Sequence, residues 1–333
     1  MAEFVALALA PAPEAILEGV SAFARVVAPW AAASPTAAGR RAGEAIDALA
    51  PQVRALLTTA FHAPIDGAEM NRFPALELIA CLGVGYDHVD VAAAAARGVV
   101  VTHTPDVLSD EVADTAMGLM LNAVRRLHEA DQFVRTGRWT NGSFPLTESL
   151  RGRTLGIAGL GRIGCAIAAR AQAFGLKIVY HNRRPRSDVA YEYRSDLVDL
   201  ARVSDILVAV MPGGPATRGV IGADVFTALG PNGYFINVGR GASVDEGALI
   251  TALERGAIAG AGLDVFADEP RVPQALIGMA HVALAPHVGS ATRSTRDAMS
   301  QLVVDNVAAY VRGEGPLTPV PETPWPAILR ARR

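Results

Sequence analysis

Lysine is nearly absent from this chain. Among its 30 basic side chains, Lys177 is the single lysine and the rest are arginines. Schiff-base chemistry needs a lysine nucleophile in an apolar pocket. Lys177 lies between Leu176 and Ile178 at the start of an apolar run and reads as a strand residue, which argues against that class. Cysteine is also scarce. Cys81 and Cys165, each in an apolar stretch, make neither a disulfide framework nor a CxxC metal site. They read as inert core thiols, which suits a reducing cytoplasm. No apolar run approaches the ~18–20 residues of a membrane span. The N-terminus carries Glu3 and no basic segment, so no secretory signal is expected. A net charge of only −3 argues against a broad basic face for nucleic acid and against an acidic tail. None of the seven histidines pairs at HExxH-type spacing, so no metal is expected.

What is present is a chain of 333 residues, 51% apolar, a length that usually divides into two domains. Short apolar runs alternate with helical stretches, the pattern of parallel sheets built from βαβ units. Strands are predicted over 4–9, 24–27, 55–59, 76–81 and 99–102, with helices over 13–23 and 42–49. A long helix over 109–128 follows, with Ser109 as its cap. Beyond a loop at 137–145, a second α/β unit begins at Arg151. Its predicted strands are 154–159, 177–181, 206–210, 234–237, 260–264 and 282–284, and a helix over 293–312 follows.

The strongest local signal is Gly159-Leu160-Gly161-Arg162-Ile163-Gly164. It sits between an apolar run and a helix-compatible segment, with a further strand after that, as a dinucleotide-binding βαβ unit requires. Gly159 permits the turn, Gly161 lets backbone approach a pyrophosphate, and Gly164 lets helix and strand pack closely. The helix start at Arg162 and Ile163 offers N–H groups to phosphate. About twenty residues on, an NAD site usually carries an Asp or Glu for the ribose hydroxyls. Here Asn182 stands there, followed by Arg183, Arg184 and Arg186. Arginines hold a 2′-phosphate that a carboxylate would repel, so NADP(H) is expected over NAD(H).

Arg240, Glu269 and His287 each follow an apolar strand of the second unit. Ligands of open parallel sheets bind beyond the carboxyl ends of strands. An Arg, a carboxylate and a His gathered there suit reduction of a 2-keto acid. The Arg forks onto the substrate carboxylate. The His protonates the carbonyl oxygen, while the carboxylate orients its ring and favours the imidazolium.

The stretches LGVGYDHVD (82–90), HTPDVLSDEVADTAMGLML (103–121), LRGRTLGIAGLGRIG (150–164), INVGRGASVDEGAL (236–249), GLDVFADEP (262–270) and PHVGSAT (286–292) resemble the D-isomer-specific 2-hydroxyacid dehydrogenase family. Within that family the chain is most similar to NADPH-dependent glyoxylate/hydroxypyruvate reductases, including HNRRP at 181–185. The resemblance implies an α/β fold of two Rossmann-like or flavodoxin-like domains with parallel sheets and an active-site cleft between them. The substrate-binding domain takes 1–102 plus 290–333, and the dinucleotide-binding domain 103–289. Arg240 becomes the substrate-polarising arginine, His287 the general acid and Glu269 its partner. The Val84 and Gly85 amides hold the carboxylate, and Asp264 accepts from the nicotinamide amide. Thr115, Val238 and Gly289 lie at the cofactor. The family's usual Glu before the threonine is Asp114 here. The resemblance further implies a homodimer formed with the helix over 109–128, in which Trp139 either packs or reaches the partner's site.

Glyoxylate or hydroxypyruvate is the expected substrate. A bulkier 2-keto acid such as hydroxyphenylpyruvate or 2-ketogluconate is the alternative, with His62 a weak candidate for substrate contact. A non-catalytic dinucleotide-sensing protein stands third.

Overall fold

The structure is a computed structural model that describes residues 3–29, 46–59 and 63–325. His62, Trp30 and the arginines at 330–333 lie outside the described residues. The chain forms two compact units, Met1–Leu108 with Thr292–Arg333, and Ser109–Ala291.

The first unit holds strands β1 (Val5–Ala8), β2 (Arg25–Val27), β3 (Val53–Thr59), β4 (Leu78–Leu82) and β5 (Val100–Thr102). They form a parallel sheet in the order β2-β1-β3-β4-β5. The flavodoxin-like folds share this order. Its described helices include α1 (Glu14–Ser21), α2 (Gly67–Asn71), α3 (Val91–Ala96) and the C-terminal α11 (Arg293–Val311). Strands β1 and β4 are buried along their whole lengths. That explains their unbroken apolar sequences: helices cover both faces of a parallel sheet.

The expected crossing at 102/103 lies instead at 108/109. His103 and Thr104 still bond to the first unit, through Thr318 and Gly83 respectively. The return crossing falls at 291/292 rather than 289/290.

The second unit contains α4 (Ser109–Arg125), α5 (Leu127–Arg135), β6 (Thr154–Ala158), α6 (Arg162–Ala173), β7 (Lys177–His181), β8 (Glu192–Arg194), α7 (Leu197–Arg202), β9 (Ile206–Ala209), α8 (Ala223–Leu229), β10 (Tyr234–Asn237), α9 (Glu246–Glu254), β11 (Gly260–Leu263), α10 (Gln274–Gly278) and β12 (Val282–Leu284). Its parallel sheet runs β12-β11-β10-β9-β6-β7-β8. The order reverses at β6, between β7 and β9, and such a switch point opens a crevice at the strand carboxyl ends. The glycine loop follows β6 at that point, whereas Arg240, Glu269 and His287 follow β10, β11 and β12.

The helix expected over 109–128 is two helices. Arg126, at φ +50°, breaks it in a left-handed conformation. Arg126 pairs with Glu129 at 2.5 Å, and its guanidinium lies over the Phe144 ring. The loop expected over 137–145 includes a 3-10 turn at Arg138–Asn141. Asp114 on α4 pairs with Arg170 on α6 at 2.5 Å, and Asp110 reaches the same guanidinium at 3.0 Å. The short Asp114 side chain thus ties together the two helices beside the glycine loop.

Candidate active site

Gly159 follows strand β6, at φ +106°. A Cβ there would lie 2.9 Å from the Met211 backbone nitrogen, so both conformation and space require glycine. A Cβ on Gly164 would meet the Gly159 carbonyl oxygen at 2.5 Å, whereas one on Gly161 would meet nothing within 4 Å. The loop is therefore packed beneath and open above, and α6 begins immediately after Gly161. First-turn N–H groups such as those of Ile163 and Gly164 have no preceding helical carbonyl and carry the positive end of the helix dipole. Open space at a helix start fits a dinucleotide pyrophosphate.

The polar segment after β7 is locked onto this loop. Asn182 Oδ1 accepts from the Leu160 N–H at 2.7 Å, and its Nδ2 donates to the Leu160 carbonyl at 3.2 Å. Asn182, expected as a cofactor contact, spends its amide on shaping the glycine loop. Arg186 does similar work. It donates to the Leu160 carbonyl at 3.0 Å and to Cys165 Sγ at 3.1 Å, and it pairs with Asp188. Arg183 and Arg184 differ from both. They are exposed, and neither has an ion-pair or hydrogen-bond partner among the described residues. Two unneutralised guanidinium groups beside the loop suit a phosphate.

Beyond β10, Asn237 is buried and braces the turn that carries Arg240. Its Oδ1 accepts from the Gly239 N–H at 3.0 Å, and its Nδ2 donates to the Arg240 carbonyl at 3.1 Å. Ser243 Oγ donates to the same carbonyl at 2.7 Å. Gly241 decides what this turn can approach. A Cβ on it would lie 1.9 Å from the Phe266 carbonyl carbon, so only glycine lets the Arg240 turn press against the segment leading to Glu269.

Glu269 binds at both oxygens. Oε1 accepts from the Phe266 N–H at 3.0 Å, and Oε2 from His287 Nδ1–H at 2.7 Å. A carboxylate acceptor places a proton on Nδ1, so Nε2 is the ring nitrogen on the side away from Glu269. Burial pushes the Glu269 carboxyl up. The hydrogen bonds from His287 and Phe266 and the charges of His287 and Arg240 outweigh it, and the net shift is below the ordinary glutamate value.

His287 itself stands at φ +54°. Its N–H donates to the Asp264 carbonyl at 2.8 Å. The buried Asp264 carboxylate accepts from the next two amides, Val288 at 2.7 Å and Gly289 at 2.8 Å. These three bonds hold the His287 backbone in its left-handed conformation. Burial pushes the Asp264 carboxyl up, against the pull of the two amides. Val238 is buried, its N–H bonded to the Ala209 carbonyl at 3.1 Å, and Thr115 is half-buried on α4.

In the first unit, Val84 and Gly85 lie half-buried in the loop after β4. Neither amide has a hydrogen-bond partner among the described residues. A pair of adjacent free amides suits a carboxylate.

Sequence reasoning missed Asn237 and Ser243, and it grouped Arg186 with the phosphate-holding arginines although its guanidinium is bonded to Leu160, Cys165 and Asp188. Asn237 had a readable signal, a polar residue closing the apolar run Tyr234–Asn237. Among the described residues, no group of three or more His, Cys, Asp or Glu could hold a metal ion. No helix among them is long and apolar enough to cross a membrane.

The family profile described as D-isomer specific 2-hydroxyacid dehydrogenase, NAD binding domain, matches residues 117–289. A glyoxylate/hydroxypyruvate reductase A of Arabidopsis thaliana is 48% identical over 268 residues, 80% of this chain and 85% of that protein. A hydroxyphenylpyruvate reductase of Plectranthus scutellarioides is 46% identical over 271 residues, 81% of this chain and 86% of that protein. Among solved structures, the NADPH-dependent glyoxylate/hydroxypyruvate reductase of Sinorhizobium meliloti, in complex with NADP and malonate, is 47% identical. It superposes with a TM-score of 0.87 over 97% of this chain and 98% of that one. With its glycine loop, its bonded His287–Glu269 pair and these likenesses along most of its length, the chain belongs to the D-isomer specific 2-hydroxyacid dehydrogenase family.

Proposed function

We propose that the protein reduces a small 2-keto acid, glyoxylate or hydroxypyruvate, to the D-2-hydroxy acid with NADPH. The observation that carries this reading is the 2.7 Å His287–Glu269 bond, in the same unit as the glycine loop and within the electrostatic reach of Arg240. When bound, the reduced nicotinamide supplies a hydride to the keto carbon. His287 donates its Nε2 proton to the carbonyl oxygen, and Glu269 keeps the ring oriented and charged. Arg240 orients the substrate and stabilises the charge that develops on that oxygen. The Val84 and Gly85 amides bind the substrate carboxylate. Residues Gly159, Gly161, Arg162, Ile163, Gly164, Thr115, Val238, Asp264 and Gly289 line the dinucleotide, and Asn182 shapes its loop. The first unit is thus the substrate-binding domain and the second the dinucleotide-binding domain.

The test is loss of absorbance at the reduced-nicotinamide band. NADPH and NADH are each offered with glyoxylate, hydroxypyruvate, hydroxyphenylpyruvate and 2-ketogluconate. Fast turnover of the two small acids is expected. The bulkier acids form the second reading, favoured by the 46% identity to a hydroxyphenylpyruvate reductase and the 40% identity to a 2-ketogluconate reductase of Gluconobacter oxydans. Faster turnover of either would establish it. No turnover of any acid, with NADPH still bound, would remove the catalytic reading.

Arg183 and Arg184 are the proposed grip on the NADPH 2′-phosphate. The double variant Arg183→Ala/Arg184→Ala is expected to raise the KM for NADPH by at least about tenfold, since bonds to charged groups contribute ~1.5–3 kcal/mol each. The KM for NADH should move little. An unchanged NADPH KM would refute the assignment.

The homodimer is proposed on the segment after α4. Leu127, Val134, Trp139 and Leu146 are exposed there, with Leu146 at 100%, and α5 buries none of its residues. Light scattering should read twice the 34.7 kDa chain mass. A cytoplasmic setting is consistent with the unpaired Cys81 and Cys165.

A further inference from the structure

We infer that His103 is a positioning residue for the substrate carboxylate, acting through the peptide group that joins Val84 to Gly85. This rests on the proposal that the Val84 and Gly85 amides bind that carboxylate. The ring nitrogen Nδ1 of His103 lies 3.0 Å from the Val84 carbonyl oxygen. A carbonyl oxygen only accepts, so Nδ1 carries the proton and donates. The Val84 carbonyl and the Gly85 N–H belong to one peptide group. A donor on the oxygen polarises that group and makes its N–H a stronger donor on the opposite side. The bond also fixes the rotation of the peptide plane, and with it the direction of the Gly85 N–H.

The surroundings hold His103 in place for this task. The neighbouring Thr104 is buried and binds Gly83 twice. Its N–H donates to the Gly83 carbonyl at 2.8 Å, and its Oγ1 accepts from the Gly83 N–H at 3.0 Å. The His103 carbonyl accepts from Thr318 Oγ1 at 2.6 Å, and Thr318 is in turn bound to the buried Asn306. The imidazole meets the Tyr86 ring edge-on at a centroid distance of 5.3 Å. Backbone and ring are therefore both fixed, and the ring Nδ1–H is aimed at the peptide whose Gly85 N–H has no hydrogen-bond partner among the described residues.

The test compares His103→Asn, His103→Gln and His103→Leu. Asparagine places an amide N–H near the position of Nδ1. Glutamine keeps polarity and bulk but carries its donor one bond further out. Leucine has no donor. At saturating NADPH, His103→Leu and His103→Gln should each raise the KM for glyoxylate about three- to tenfold, the size of one net hydrogen bond. Their kcat and their KM for NADPH should be unchanged, and His103→Asn should restore the wild-type KM. Gly85→Pro, which deletes the N–H itself, is measured alongside. A raised KM in Gly85→Pro with wild-type values in His103→Leu and His103→Gln would overturn the role of His103 and leave the amide reading standing. Wild-type KM in all variants would overturn both. An equal KM rise in all three His103 variants, with lost NADPH affinity, would mean a general structural role and would also overturn the inference.

Discussion

His287→Asn is expected to lower kcat for glyoxylate reduction by about 10²–10⁴-fold, the usual contribution of a positioned general acid. Asparagine is chosen because His287 stands at φ +54°, a left-handed conformation that Asn tolerates better than Ala. Its side-chain amide also still reaches toward Glu269. What it lacks is any proton donor at the Nε2 position. NADPH affinity, read by quenching of protein fluorescence, should therefore be unchanged, and the loss should appear in the chemical step. Turnover within about threefold of wild type would remove His287 from the mechanism.

The pH profile makes the same argument from its partner. Glu269 is held below the ordinary glutamate value, so it remains a carboxylate as the solution becomes mildly acidic. A depressed carboxyl contributes stability above its unfolded value, and that contribution is lost as pH falls through the lower folded value. Activity that depends on the Glu269 carboxylate should therefore persist into mild acid and fall only as pH passes below the ordinary glutamate value. Glu269→Gln has no carboxyl to protonate, so its kcat/KM should be lower than wild type and should lack that acid limb. An acid limb unchanged in the variant would refute the role of Glu269.

Removing Arg240 should be nearly as costly. Arg240→Ala is expected to lower kcat/KM for glyoxylate by about 10²–10³-fold, the scale of losing one stabiliser of developing oxyanion charge. Arg240→Lys should recover only part of it, because an ammonium keeps the charge but not the planar fork. The loss should leave NADPH binding intact, since the Arg240 guanidinium donates to the carbonyl of its own neighbour, Gly239, at 2.9 Å, on the turn after β10. Arg240 also helps hold Glu269 low, so the variant should bring the Glu269 carboxyl back toward its ordinary value. If Arg240→Ala keeps kcat/KM within about threefold, neither role stands.

Local chemistry was legible in the linear chain. Continuous apolar runs named strands such as Leu78–Leu82 and Tyr234–Asn237, because a parallel sheet covered on both faces writes no alternation. Glycine spacing named the loop at 159–164, because backbone that must turn sharply and pack closely admits no side chain there. Arg183 and Arg184 were legible as phosphate-holding candidates, since Asn182 stands where an NAD site usually carries an acid, and neither arginine has an ion-pair partner among the described residues.

Side chains whose partners are distant in sequence were not legible. Asn182 looked like a ligand contact, yet the return of β7 beside β6 gives its amide to Leu160. The left-handed Arg126 lays its guanidinium over Phe144, eighteen residues on, a contact that periodicity over 109–128 does not register. By itself the sequence determined two α/β units, a dinucleotide loop and the residue types of an acid, a carboxylate and a cation, because propensity, burial pattern and turn chemistry act over a few residues. Tertiary structure alone brought Glu269 to His287 and pressed the Arg240 turn against the strand-end segment at Phe266. Those contacts depend on neighbouring strands β10, β11 and β12 ending side by side, a register set by packing of the whole sheet.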